Sequence, residues 1–150
     1  MVRACQFCKI ARGDAEADLV FQDALSVAFL DHRPLFPGHC LLVPRDHYQT
    51  LPDLPASLVG PFFANVQLLT RAVERACAAD GSFVAVNNRV SQSVPHLHVH
   101  IVPRRHKDGL RGFFWPRQPY KDRQAALDAR AALTAAITEL QSTRTSRLLP

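Results

Sequence analysis

The sequence predicts a single domain of the α+β class, because five short strand patterns and two long helical patterns occur along its 150 residues. The predicted strands are 19–21, 26–31, 39–43, 82–86 and a final stretch that carries three histidines. One helix is predicted over 54–79 and another over 122–140, where apolar residues recur every three or four positions. A chain of this length is most simply one domain.

The final strand carries His96, His98 and His100 at every second position. A β-strand alternates its side chains between two faces, so the three imidazoles are expected on one face and the apolar residues between them on the other. Pro95 and Pro103 bracket the run, as expected for residues that do not fit inside a central strand. The row predicts either a metal site or a catalytic site in which one imidazole is the nucleophile.

The long helix and the strand before it have recognisable boundaries. Asp53 is a candidate N-cap and Pro55 follows it, whereas Asp80-Gly81 predicts the end of the helix. Gly60-Pro61 predicts a kink or a division of its first turns. The strand 39–43 is almost entirely apolar, which is typical of a central strand.

Cys5 and Cys8 form a Cys-x-x-Cys motif near the start of the chain. Three interpretations are open: half of a zinc site, a redox pair, or two small buried residues. Few residues precede the motif, which argues against the thioredoxin type, because that type follows a strand. Zinc is therefore favoured, provided that two further ligands exist.

Composition limits the classes of partner. The net charge of +5 suits an anionic ligand, and a basic group at Arg104, Arg105 and Lys107 follows the histidines. No apolar run approaches the roughly 18 residues of a membrane span, and the N-terminus lacks a signal-peptide pattern. We expect a cytoplasmic protein without a membrane partner and without a specific nucleic-acid partner.

Several motifs together resemble the histidine-triad (HIT) superfamily. The histidine stretch 96–104 resembles the signature of that family, and Cys5-Gln6-Phe7-Cys8-Lys9-Ile10 resembles its opening. Phe29-Leu30-Asp31, followed by Pro37-Gly38-His39 and by 42–47, resembles its central block. The order and spacing agree across residues 5–105.

The resemblance implies a five-stranded antiparallel sheet with one main helix packed on it and a C-terminal helix. It implies a single HIT domain over 1–150, with a core of about 5–105 and an extension over 106–150. Family members are usually homodimers whose two sheets join.

The resemblance also implies nucleotide chemistry with a purine nucleotide as substrate and AMP as the expected product. His98 would be the nucleophile at the α-phosphorus, His100 would donate to a phosphate oxygen, and His39 would help to orient the nucleophile. Asp31 would accept hydrogen bonds from the ribose hydroxyls. The residues expected near the base are Phe7, Ile10, Phe29 and His32, and those expected to hold the phosphate are Asn87, Gln92 and Ser93.

The Cys-x-x-Cys branch of the family implies a zinc site formed by Cys5, Cys8, His47 and His96. Two thiolates and two imidazoles make a closed tetrahedral set, which is typical of structural zinc. No organic cofactor is expected.

Two segments differ from the family pattern or fall outside it. The loop 87–93 is shorter than usual and lacks the family's glycine. The aromatic segment 109–120 lies beyond the shared core, and covering the sheet, a dimer contact and a ligand pocket are all open roles for it.

Four functions are open from the sequence. The first is a hydrolase of nucleoside phosphoramidates or dinucleoside polyphosphates, and the second is a transferase with the same chemistry. The third is a non-catalytic nucleotide-binding protein, which would not need the intact His98. The fourth is a hydrolase that uses all three histidines as ligands of a catalytic metal.

Overall fold

The computed structural model of the protein describes residues 5–110 and 118–146, the last five of these by backbone alone. The chain divides into two compact units, Met1–Gly109 and Leu110–Pro150. Residues 111–117, which include most of the aromatic segment, lie outside the described residues, so the roles suggested for that segment stay predictions.

The first unit is built on one antiparallel sheet of five strands in the order β1-β2-β3-β5-β4. This architecture confirms the α+β fold that the sequence predicted. The strands are β1 (Leu19–Gln22), β2 (Ser26–Leu30), β3 (Cys40–Pro44), β4 (Gly81–Val86) and β5 (Val99–Arg104). The apolar strand β3 lies between β2 and β5, as its composition indicated.

The two faces of the sheet carry separate apolar clusters. On one face, Leu42, Val99 and Ile101 pack against the long helix α2 (Ala56–Ala76). On the other face, Leu41 and its neighbours pack against a short helix, α1 (Gln6–Arg12). Alternation along each strand therefore separates the structural face of the sheet from the face that carries the histidines.

The predicted boundaries of α2 were partly wrong. The side chain of Asp53 does not cap α2; it accepts hydrogen bonds from the backbone and hydroxyl of Thr50 and so caps the 3-10 turn Leu51–Asp53. The helix begins after Pro55 and runs through Pro61 without division. A proline near the start removes only one hydrogen bond, and burial of the apolar face offsets that loss.

Helix α1 was not predicted from the sequence. It has only seven residues, too few for a clear apolar period. Gly13 at its end has φ 84°, and its N–H donates to the carbonyl of Ile10, so it is the C-terminal cap. Gly13 is therefore the signal in the sequence that could have located the end of this helix.

The prediction that all three histidines lie in one strand was also wrong. Strand β5 begins at Val99, so only His100 belongs to it, and His96 and His98 precede it in an irregular segment. The backbone there bonds outside the sheet ladder, because the N–H of Leu97 donates to the carbonyl of Tyr48 at 2.6 Å. The alternation nevertheless persists, since Leu97 lies with Val99 under α2.

The second unit contains helix α3 (Arg123–Ser146), which extends beyond the predicted 122–140. Three of its larger apolar side chains, Leu133, Ile137 and Leu140, are exposed. None of the helices in the described ranges is both long and apolar enough to cross a membrane.

Candidate active site

A cavity of about 770 Å³ opens on the histidine face of the sheet. Helix α1 forms one wall, the end of β2 forms another, and His98 and His100 lie at its inner side. Its lining carries three carboxylates, Glu16, Asp18 and Asp31, and one guanidinium, Arg33. The fixed charge of the lining is thus negative in a protein whose net charge is +5.

His98 is buried at the inner side of this cavity, with 3 % of its surface exposed. Its Nδ1 lies 2.7 Å from the carbonyl oxygen of His96. A carbonyl can only accept, so Nδ1 carries the proton and donates it, and the neutral ring keeps its free lone pair on Nε2. The ring of Phe7 meets it edge-on with centroids 5.3 Å apart, which fixes its plane. In its neutral form, His98 therefore presents the lone pair of Nε2 from a ring that lines the cavity.

His100 has the opposite tautomer, because a chain of hydrogen bonds reaches it from the backbone. The N–H of Leu35 donates to Nδ1 of His39 at 3.1 Å, so the neutral His39 carries its proton on Nε2. That Nε2 lies 3.0 Å from Nδ1 of His100 and donates to it. His100 is therefore left with a proton on Nε2 and is suited to donate to an anionic oxygen.

Burial keeps His39 and His100 neutral. It lowers the pKa of His100 from 6.5 to about 4, and the nearby His98 and His39 add to the effect because a charged ring there would be repelled. The pKa of His39 is lowered by burial as well, although the Asp31 carboxylate opposes the shift. The chain of hydrogen bonds from Leu35 through His39 to His100 requires a neutral His39, because Nδ1 of His39 must accept a hydrogen bond.

These shifts predict that the unfolding free energy falls as the pH is lowered from about 6.5 to about 4. Over that window the unfolded chain binds a proton at His100 that the folded chain rejects. The contribution of His100 to the unfolding free energy is therefore fully present above pH 6.5. Below that pH, one histidine changes the unfolding free energy by at most about 1.4 kcal/mol per pH unit.

Urea unfolding at several pH values measures this slope. We expect His100→Gln to reduce it, and His106→Gln, at an exposed position outside the cavity, to leave it unchanged. An equal slope in wild type and His100→Gln would contradict the assignment.

The third histidine of the row, His96, points into a group with Cys5, Cys8 and His47. Its Nε2 lies 2.9 Å from the carbonyl oxygen of Pro44 and donates to it, which leaves Nδ1 as the nitrogen with a lone pair. That Nδ1 lies 3.3 Å from Sγ of Cys5 and 3.4 Å from Sγ of Cys8. Nδ1 of His47 lies 3.3 Å from Sγ of Cys8.

The four residues fit a tetrahedral zinc ion. Zinc–sulfur and zinc–nitrogen bonds place neighbouring ligands roughly 3.5 Å apart, close to these separations. All four ligand atoms lie within 4.8 Å of one another. The bond from His96 to Pro44 is the kind of outer contact that orients a metal-bound imidazole. Burial lowers the pKa of His96 to about 4, so the ring is neutral, as a ligand must be.

A second group, Asp31, His39 and His100, also has its ligand atoms within 4.8 Å of one another. Here the tautomers argue against a metal. Nδ1 of His39 accepts from the Leu35 N–H, so the Nε2 that faces the group is protonated and has no free lone pair. This group is better described as a relay of hydrogen bonds than as a metal site.

Most of the predicted nucleotide-binding residues line the cavity. They are Phe7, Ile10, Phe29, Asp31, His32, Ser93 and His100. Asn87 and Gln92 do not line it, because their side chains brace the loop: Asn87 donates to the Ser91 carbonyl, and Gln92 donates to the Gln49 carbonyl at 2.6 Å. The phosphate-binding roles of these two residues stay predictions.

The glycine-free loop holds two residues in the left-handed region, Arg89 at φ 67° and Ser91 at φ 57°. Such a φ is unfavourable for residues with a Cβ atom. We therefore expect Ser91→Gly to raise the unfolding free energy by about 0.5–1 kcal/mol, measured by urea unfolding. Ser93→Gly is the matched control, since Ser93 has no such φ and should lose stability. A less stable Ser91→Gly would contradict the argument.

Sequence reasoning missed the backbone groups that set the tautomers, namely the Leu35 N–H and the carbonyls of Pro44 and His96. A backbone group gives no signal in the sequence beyond its position. The charged lining residues Glu16, Asp18 and Arg33 were missed as well, because exposed charges occur throughout the chain.

Comparison with known proteins relates the chain to nucleotide-processing enzymes. The adenylylsulfatase HINT3 of Arabidopsis thaliana is 34% identical over 130 residues, which are 85% of this chain and 64% of the relative's own length. The adenosine 5'-monophosphoramidase hnt1 of Schizosaccharomyces pombe is 34% identical over 118 residues, 77% of this chain and 86% of the relative.

Solved structures share the fold. A Streptococcus mutans protein superposes with a TM-score of 0.81 at 30% identity, covering 91% of this chain and 87% of that one. A zinc-bound histidine triad protein from Mycobacterium smegmatis has a TM-score of 0.68 at 35% identity, covering 93% of this chain and 97% of that one. The HIT domain family model matches residues 12–107, so the chain belongs to the HIT family.

Proposed function

We propose that the protein hydrolyses a nucleotide at its α-phosphorus through a covalent intermediate on His98 and releases AMP. The observation that carries this proposal is the pair of opposite tautomers in one cavity. His98 offers an unprotonated Nε2 and His100 offers an Nε2–H, and the two ring centroids lie 5.0 Å apart. A nucleophile and a donor at this separation can act on one phosphoryl group.

In the first step, the Nε2 lone pair of His98 forms a bond to phosphorus, the bond from phosphorus to the leaving group breaks, and the leaving group takes up a proton from water in the cavity. Positive charge develops on the ring and is stabilised by the His96 carbonyl, which accepts the Nδ1–H at 2.7 Å. The Nε2–H of His100 donates to a non-bridging phosphate oxygen. His39 acts as a positioning residue, because its Nε2–H holds the tautomer of His100.

In the second step, water attacks the phosphorus of the nucleotidyl-histidine, the bond from phosphorus to nitrogen breaks, and the proton that the attacking water loses returns to solvent. AMP leaves, and His98 returns to its neutral form with the proton on Nδ1. Splitting one displacement into two steps lowers the barrier of each. Asp31 would accept hydrogen bonds from the ribose hydroxyls. In support of this role, its carboxylate lines the cavity and accepts the backbone N–H of Arg33 at 2.8 Å.

The charge of the lining favours a phosphoramidate over a dinucleoside polyphosphate. Glu16, Asp18 and Asp31 outnumber Arg33, so a leaving group with several phosphates would be repelled. An uncharged or cationic amine has no such penalty. We therefore infer that nucleoside phosphoramidates are the preferred substrates.

We also propose that Cys5, Cys8, His47 and His96 hold a structural zinc ion. The site has four protein ligands and leaves no position for a substrate. A related protein that is described as zinc-bound supports the choice of metal. The ion would connect the start of α1 to the segment that carries His98.

A catalytic metal held by all three histidines fits the geometry poorly. Nδ1 of His96 faces the thiols of Cys5 and Cys8, whereas His98 and His100 line the cavity. A transferase with an acceptor other than water remains a second candidate, because both reactions share the first step.

The homodimer and the cytoplasmic location stay predictions. Strand β4 supports the dimer, because it is an edge of the sheet and its Val84 is exposed. An exposed edge is where a second sheet can pair.

The function is tested by incubating the protein with adenosine 5'-phosphoramidate, adenylylsulfate and diadenosine tetraphosphate, and following the products by chromatography. We expect AMP from the phosphoramidate at the highest kcat/KM. A second set of reactions contains inorganic phosphate as an acceptor, and ADP in place of AMP would identify a transferase. Nucleotide binding without any product would contradict the proposal.

A further inference from the structure

His96 belongs to two groups at once, through different parts of the same residue. Its side chain faces the thiols of Cys5 and Cys8 at 3.3 and 3.4 Å. Its main-chain carbonyl accepts the Nδ1–H of His98 at 2.7 Å, and this bond fixes the tautomer of the nucleophile. The side chain that faces the thiols and the carbonyl that orients His98 therefore belong to one residue and share its Cα atom.

We propose that zinc binding to the four-residue group controls the nucleophile, so that the occupancy of the site sets the rate of the reaction at His98. This role goes beyond structural stabilisation and rests on the proposed function. His96 is the positioning residue that connects the two sites. His47 acts on the chemistry through His96 and Tyr48 and does not line the cavity.

The carbonyl of His96 has few hydrogen-bond partners, because this part of the backbone lies outside the sheet. The ladder between β3 and β5 starts at the pair Leu42 and Val99, so no strand partner holds the carbonyl of His96. Apart from His98, that carbonyl receives only a 3.4 Å contact from the Gln92 amide among the described bonds. A bond of that length holds a carbonyl weakly.

Two of the proposed ligands, His96 and His47, are connected to this irregular segment at different points. His96 lies within it, and His47 is adjacent to Tyr48, whose carbonyl accepts the Leu97 N–H at 2.6 Å. One ion bound to both histidines would therefore fix the carbonyl of His96, which bonds His98, and the carbonyl of Tyr48, which bonds Leu97. Without the ion, the ring of His96 keeps its bond to the Pro44 carbonyl, while its Nδ1 faces the Sγ atoms of Cys5 and Cys8.

The thiol side of the group reaches the same nucleophile through Phe7, which lies between Cys5 and Cys8 in the chain. The ring of Phe7 is 5.3 Å from the ring of His98 and 5.3 Å from that of Phe29. Zinc held by both cysteines would fix the start of α1 and with it this aromatic contact. The ring and the tautomer of His98 thus both depend on the four-residue group.

The test uses His47→Asn in the full-length chain, because His47 is exposed and does not line the cavity. The matched control is His106→Asn, which alters an exposed histidine outside both sites. Three measurements are made on each protein: bound zinc per chain, the kinetics with adenosine 5'-phosphoramidate (kcat and KM), and the nitrogen NMR signals of the histidine rings.

We expect His47→Asn to bind zinc weakly and to lose kcat by about 10- to 100-fold, while KM changes little. Added zinc should restore kcat. Without zinc, the signals of His98 should change from one tautomer to a mixture of two. The control should match wild type in all three measurements.

Loss of zinc with unchanged kcat and unchanged His98 signals would overturn the proposal and leave the ion a purely structural role. If His47→Asn does not fold, the NMR spectra of wild type during removal of zinc by a chelator give the same decision. If wild type releases no AMP, the proposed function fails, but the NMR response to zinc still tests whether the two sites are connected.

Discussion

Replacement of His98 by asparagine should reduce the release of AMP from adenosine 5'-phosphoramidate by about 10⁴-fold or more, as removal of a catalytic nucleophile does in other enzymes. Asparagine preserves a polar side chain of similar size at this buried position, so the fold should survive. It has no ring nitrogen that can form a bond to phosphorus. The loss should therefore appear in kcat, with substrate affinity retained.

His106→Asn is the control, since it removes an exposed histidine outside the cavity. Mass spectrometry of wild type, quenched in alkali during turnover, should find AMP attached to the peptide that contains His98. Equal rates in wild type and His98→Asn, with both proteins folded, would show that another group is the nucleophile.

Removal of zinc should produce the largest change in stability. A ligand that binds only the folded state stabilises it by about 4 kcal/mol when its free concentration is about 1000-fold above Kd. Without metal, burial and the neighbouring Cys5 raise the pKa of the Cys8 thiol to about 11, so zinc must displace protons in order to bind. We therefore expect the stabilisation by zinc to increase with pH, as measured by urea unfolding.

Cys8→Ser should abolish this dependence on zinc, because a serine hydroxyl is a poor substitute for a zinc-binding thiolate. Cys77→Ser is the matched control, since Cys77 is a partly buried cysteine outside the four-residue group and should retain the full response. A zinc response that survives in Cys8→Ser would exclude Cys8 as a ligand.

The sequence predicted the elements of the fold in which apolar residues follow a clear helical or strand pattern. The apolar stripe of α2 and the apolar strand β3 each follow from burial on a known side. Helix α1 was not predictable in this way, because it depends on a cap at Gly13 and on packing across the sheet.

The sequence predicted many of the residues that form the site, but it did not predict the direction in which each ring points. The alternating histidines predict that all three rings lie on one face. In the structure, the ring of His96 faces the cysteines, whereas His98 and His100 line the cavity. The separation follows from where the sheet ladder begins, at Val99, and from which backbone groups lie beside each ring. Such contacts come from distant parts of the chain, and a local pattern does not contain them.

The sheet order also determines which parts of the site can open. His100 lies on β5 and His39 immediately precedes β3, and these two strands are internal in the sheet, with neighbours on both sides. Hydrogen exchange in such strands usually requires unfolding of the whole domain. The opposite wall lies on a seven-residue helix and on short connecting segments. Any widening of the cavity for a ligand therefore occurs on that wall, while His39 and His100 stay in place.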